Sequence, residues 1–178
     1  MDITYPEKDE KYDNEGYMEL IEQYGMDILV SEPFMRVMGQ KHHIFSTVGY
    51  HSIHVAYIML MFSRIIRMDE REIIRASLWH DTGIYDRDSF EHDMCMEHPN
   101  RSLSIAETED ILSDIQRDMI KNHMWPMNRH MPKTKEGFLI TIADKWCAIT
   151  EFFHLKSKKI EEILEKLHKL FTEYKNVA

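Results

Sequence analysis

The segment that most limits what this chain can become is residues 47–68, TVGYHSIHVAYIMLMFSRIIRM. Drawn at 3.6 residues per turn it is apolar on most of its circumference, and a helix of that kind has to be surrounded by other helices rather than laid on a surface. The rest of the chain supplies the surround. Glycine and proline are scarce (6 and 5), valine is rare and no period-two alternation is evident, so the reading is all-α. With 178 residues, 43% of them hydrophobic, one domain can bury a sizeable core.

Residues 1–14 are polar and read as a flexible N-terminal arm, leaving 15–178 as a single helical domain. A first helix is expected over 15–29 and a short one after Pro33. The central helix is expected over 47–68. Asp69 then caps EREIIRASLWHD, which puts Ile74, Leu78 and Asp81 on one helical face. A long loop leads to His98 and Pro99, with the proline in the first turn of the next helix. Ser113 and Gln116 form a capping-box pattern that opens SDIQRDMIKNHMW, with Met119, Ile120 and His123 facing inward. After a stretch broken by Pro126 and Pro132, KEGFLITIADKWCAITEFF reads as a core helix with Asp144 in mid-run. The closing helix, with Ile160, Ile163, Leu164, Leu167, Leu170 and Phe171 on one side, is amphipathic packing. The 14 methionines read as flexible core filler.

Charge and composition exclude several classes. Acidic residues outnumber basic ones by 31 to 22, a formal charge of -9, and no dense Lys/Arg cluster follows a phosphate backbone, so duplex nucleic acid is not an expected partner. No signal-type N-terminus or membrane-length apolar run is present, which leads to the expectation of a cytoplasmic protein. Cys95 and Cys147 read as free thiols, without zinc-site spacing.

What stands out is polar. An isolated buried carboxylate costs several kcal/mol or more unless a cation compensates it. Asp81 and Asp144 both fall on core-facing stretches. His51, His80, His98 and His123 occur at helix starts, ends or inward faces, and imidazole with carboxylate is the donor set of Zn, Mn, Fe and related divalent ions. Taken singly, each residue has a plainer reading: a core histidine bonded to a carbonyl, an aspartate paired with a nearby Lys or Arg, a His80-Asp81 pair that finishes a helix. The ordered set across five helices is much harder to assign to coincidence.

That order resembles the HD-domain metal-dependent phosphohydrolase superfamily, over roughly residues 40–151. YHSIHVA is similar to the family's first-ligand helix and carries ligation onto His51. LWHDTG carries it onto His80 and Asp81, EHPNRSLSIA onto His98, IKNHMWP onto His123 and TIADKWCA onto Asp144. The resemblance implies an HD-type bundle of about six to eight helices. The version with two extra histidines is similar to binuclear branches acting on dinucleoside polyphosphates, other nucleotides or cyclic dinucleotides. Two departures are visible: Ile84 stands where many relatives have lysine, and the glycine-tyrosine-proline signature of cyclic-di-GMP phosphodiesterases is absent.

The resemblance implies metal-dependent hydrolysis of a phosphate ester or anhydride in a small metabolite, a nucleotide or dinucleotide. Two divalent cations (Fe, Mn or similar, with Mg, Ni, Co or Zn open), about 3.5–4 Å apart and bridged by Asp81, would supply a hydroxide nucleophile. His51, His80, Asp81 and Asp144 would surround the first, with His98 and His123 mainly on the second; Asp81 is also the catalytic residue. Substrate contacts are expected from Lys145, His54, Arg101 and Arg87, each of which also reads as an ordinary surface or wall residue. His42 and His43 precede the central helix within reach of the cleft, and His130 lies between prolines on a candidate lid. His92, His154 and His168 read as surface residues, and Trp79, Trp125 and Trp146 as core packing. Two other readings stay open: a di-iron oxygenase on the same N/O ligands, and a catalytically silent nucleotide sensor, which Ile84 encourages. A homodimer is left open, and no membrane partner is expected.

Overall fold

In the computed structural model, which describes residues 14–42, 46–84, 92–153, 155 and 157–177, eight helices form the described part and no strand pairs beyond one isolated bridge between Lys41 and Thr47. The all-α expectation holds. At the centre is α3 (Val48–Ser63), contacted by α1 (Asn14–Leu29), α2 (Glu32–Met38), α4 (Glu70–Trp79), α7 (Lys135–Phe152) and α8 (Lys158–Val177). Its uniform apolarity is answered by burial on every side: Ile53, Val55, Ala56, Met59 and Leu60 are all inaccessible. Thr47 starts it by accepting a hydrogen bond from the Tyr50 amide at 3.3 Å.

Three boundaries differ from the sequence reading. Helix α3 ends at Ser63 rather than near Met68, because Asp69 already caps α4 and residues 64–68 are needed for the return. Ile65 is 85% exposed there, so apolarity alone did not mark helix. Helix α4 stops at Trp79, with His80 as its C-cap and Asp81 in the turn beyond. The Trp79 carbonyl is taken by Thr82, whose amide and hydroxyl donate to it at 3.1 and 2.8 Å, and this local bond competes with helix continuation. Helix α5 (His92–Glu109) begins six residues before His98, so Pro99 is interior rather than in the first turn. An interior proline costs a helix roughly 3 kcal/mol; burial of His98, Pro99 and Ser102 offsets it.

Helix α6 (Asp114–Asn122) opens with the full capping box between Ser113 and Gln116, and His123 is its C-cap. Between α6 and α7 the buried Asp118 carboxylate is the anchor. It accepts from the Lys133 amide (2.9 Å), the Thr134 amide (2.8 Å), the Thr134 hydroxyl (2.7 Å) and Asn122 Nδ2 (2.8 Å). Thr134 is in turn the N-cap of α7, so Asp118 sets where that helix begins. Burial pushes the Asp118 carboxyl upward, but the bonds from Thr134, Asn122 and the two amides outweigh it and hold it below its ordinary value. A depressed folded-state value gives stabilisation that is fully present above about pH 4 and is lost as pH falls from there through the depressed value. Asp118→Asn is therefore expected to lower stability by about 2 kcal/mol at neutral pH. Chemical denaturation across pH should show the gap between variant and wild type closing in acid.

Arg75 ties the outer helices together. Its guanidinium donates to Asp27 at 2.8 Å, to the Tyr24 carbonyl at 2.9 Å and to Asp110. Among the described residues no helix is long and apolar enough to cross a membrane.

Candidate metal centre

Five elements send polar side chains into one buried volume. His51 comes from the first turn of α3, His80 and Asp81 from the end of α4, His98 from α5, His123 from the end of α6 and Asp144 from α7. All six are buried, and Asp144 is the most open, its side chain 12% exposed.

The two helix-terminal histidines are oriented in the same way. His80 Nδ1 lies 2.7 Å from the Ser77 carbonyl and His123 Nδ1 lies 2.7 Å from the Ile120 carbonyl. A carbonyl only accepts, so Nδ1 carries the proton, and in the neutral ring Nε2 presents a lone pair to the centre. Burial, with His80 and His98 nearby, holds His123 below its ordinary value, which favours that neutral form, whereas at His80 the Asp81 carboxylate outweighs burial and raises the imidazole.

Asp81 is the hub. Its Oδ2 lies 2.8 Å from His42 Nε2, 3.3 Å from His80 Nε2 and 3.8 Å from His51 Nε2. Its Oδ1 faces the other way, 3.2 Å from His98 Nε2 and 3.5 Å from His123 Nε2. Burial raises the Asp81 carboxyl, but the surrounding imidazoles, His80 foremost, hold it well below the carboxylate range. His98 and His123 bring their Nε2 atoms within 3.0 Å of each other.

His51 lies between two carboxylates. Nδ1 donates to Glu151 Oε1 at 3.1 Å and Nε2 to Asp144 Oδ1 at 2.9 Å. Burial opposes charging this ring, yet Glu151 and Asp144 outweigh it and raise the imidazole to about 10.

The donor set fits divalent metal. His80 Nε2 and Asp81 Oδ1 are buried without a partner in hydrogen-bonding geometry, a cost of roughly 1–3 kcal/mol each that cations would remove. Triplets of donor atoms close enough to share an ion include His51, His80 and Asp144, and His80, Asp81 and His123.

The expected substrate contacts fare differently. Lys145 Nζ donates to the His123 carbonyl at 3.0 Å and lies 3.5 Å from Asp144 Oδ2, at the edge of the cluster. His54 is behind His51, paired through Nδ1 with Glu151 Oε1 at 3.0 Å. Arg101 is on α5 with its Cβ beside the Gly83 turn. Arg87 and His43 lie outside the described residues. His130 is exposed. Trp79 is buried and Trp125 meets Phe138 edge-on, but Trp146 is half exposed, which corrects its assignment to the core.

Two residues near the ligands carry more than the sequence reading gave them. Glu151, not singled out there, is buried and binds both His51 and His54. Its signal was available: it follows Asp144 by seven residues, two turns along the same buried face of α7. His42, only placed within reach, bonds Asp81 and stacks on His51 with ring centroids 4.0 Å apart.

The sequence model of the HD domain family matches residues 48–149, more than half of the chain, from the start of α3 to near the end of α7. The chain belongs to the HD domain family. This HD superfamily consists mostly of metal-dependent hydrolases and its domains bind divalent metals, in keeping with the buried His/Asp cluster. The match includes His51, His80, Asp81, His98, His123 and Asp144 and stops short of His42 and Glu151. Neither a curated protein nor a solved structure matches the chain.

Proposed function

We propose that this HD protein is a divalent-metal-dependent phosphohydrolase that cleaves a phosphate ester or anhydride in a small metabolite, a nucleotide or dinucleotide. The observation that carries the proposal is the two-sided setting of Asp81, one oxygen toward His51 and His80 and the other toward His98 and His123. A carboxylate so placed suits a bridge between two cations. His51, His80 and Asp144 would complete one site and His98 and His123 the other. Bound cations would acidify water and neutralise phosphate oxygens as charge builds up.

The chain's own residues then have defined tasks. The Ser77 and Ile120 carbonyls fix the rings of His80 and His123. Glu151 holds His51 by its Nδ1–H, leaving Nε2 for the centre. His42 holds Asp81 Oδ2. Lys145 brings a positive charge to the most open ligand, Asp144, where a phosphate oxygen can be met. Ile84, at the position where many relatives carry lysine, is buried with Val37 and Val48 and serves packing instead. That substitution is what favours the second reading, a nucleotide-binding protein without turnover.

The test is metal analysis of the purified chain, reconstitution with Mn, Fe, Co, Ni, Zn or Mg, and a screen of nucleotides, dinucleoside polyphosphates and cyclic dinucleotides for phosphate-bond cleavage. Cleavage dependent on one of these metals supports the proposal. Saturable nucleotide binding without cleavage supports the silent reading, and oxygen consumption with an iron-loaded sample would favour oxidative chemistry. Glu151→Gln, which keeps the shape but loses the charge against His51, is expected to weaken metal binding about 10- to 100-fold. Chelator competition measures this independently of turnover.

A further inference from the structure

We propose that the outer face of α7 is the seam of a homodimer. The inner face of this helix is spent on the centre and core, with Ala143, Asp144, Cys147 and Glu151 buried. On the opposite side Ile142, Trp146, Ile149 and Phe153 follow one another at intervals of four, three and four residues. That alternation is the spacing of a two-helix seam. Phe152 and Leu155 widen the stripe, and these six side chains are between 41% and 66% exposed.

The size of the patch argues for an occupant. Six large apolar side chains, each about half open, present on the order of 600 Å², at the upper end of what the largest patch on a monomer exposes. Two copies face to face would bury roughly 1,200 Å², the threshold of stable interfaces.

The chemistry argues for which occupant. Between Ile142 and Phe153 the charged residue of α7 that is not buried is Lys145, and its Nζ is drawn back to the His123 carbonyl and Asp144. A polar or charged partner would lose its hydration here and find nothing to pair with. A second copy brings the same neutral stripe, and it spares a chain of charge -9 from setting like-charged surfaces against each other. A two-fold axis makes one patch self-complementary. With the helices antiparallel, the middle of the stripe puts Trp146 of one copy near Ile149 of the other, an aromatic at the centre where binding energy concentrates.

Sedimentation of the full chain over a range of micromolar concentrations tests the seam. The expected species has twice the 21.4 kDa of one chain. Ile149→Glu is expected to raise the dimer dissociation constant more than about 30-fold, with helical circular dichroism unchanged. Should that variant misfold, Ile142→Ser makes the same test more mildly. A monomeric wild type overturns the proposal, whether or not it captures lipid vesicles or another protein. So does a dimer that folded variants of both kinds leave intact.

Discussion

Asp81→Ala is expected to empty the centre of metal and to lower hydrolysis by at least about 10³-fold, at the upper end of what removing one transition-state contact costs. The size follows from position. Asp81 is within 4 Å of five imidazoles, those of His42, His51, His80, His98 and His123, and each of its oxygens serves a different group of them. Losing another ligand takes one donor from one ion, whereas losing Asp81 takes the anion that both would share. Asp81→Asn separates charge from shape, since the amide fills the same space but replaces one acceptor by a donor. It should bind metal almost as poorly as the alanine variant. Elemental analysis per chain, steady-state rates and circular dichroism on the same samples make the check. Full metal content with unchanged turnover in either variant contradicts the bridging role.

The buried His/Asp cluster was legible from sequence because its residues were conspicuous where they stood: carboxylates in apolar runs, and histidines where core residues belonged. The N-caps at Asp69 and Ser113 were legible for a similar reason, since a local hydrogen bond leaves a local signature. What was not legible depended on distant partners. Helix α5 runs through Pro99 because of what packs against it, and no window of sequence contains that. Asp81 fitted a helical stripe with Ile74 and Leu78, yet the Thr82 hydroxyl ended the helix first. Glu151, two turns beyond Asp144, was not singled out because its partners His51 and His54 stand about a hundred residues earlier. Trp146 shows the opposite error, in which apolar character was taken for burial.

The glycine after the His80-Asp81 pair bears on the centre through a single missing methyl group. Gly83 does not have a positive φ, so conformational freedom is not its reason. Its amide donates to Ser102 Oγ at 2.8 Å, drawing the turn onto α5. A Cβ at this position would lie 2.5 Å from the Ser102 nitrogen and 2.6 Å from the His98 carbonyl oxygen. Both are backbone atoms of a helix, and neither can swing aside as a side chain would. Gly83→Ala therefore has to push α5 away by about 1 Å to reach ordinary contact distance. His98 moves with that helix, and its Nε2 is 3.2 Å from Asp81 Oδ1. The expected cost is about 1–3 kcal/mol of stability, as for other overpacked sites. Turnover should fall on the order of 10²-fold, the penalty for misplacing a working group by that distance. Metal stoichiometry should drop on the His98–His123 side while His51, His80 and Asp144 keep theirs. Gly39→Ala is the matched control, because a Cβ there meets nothing within 4 Å. Thermal melts and metal titrations of the two variants side by side decide it: a Gly83→Ala protein as stable and as fully loaded as Gly39→Ala would mean that α5 is not pressed against the turn and that His98 is not placed by this contact.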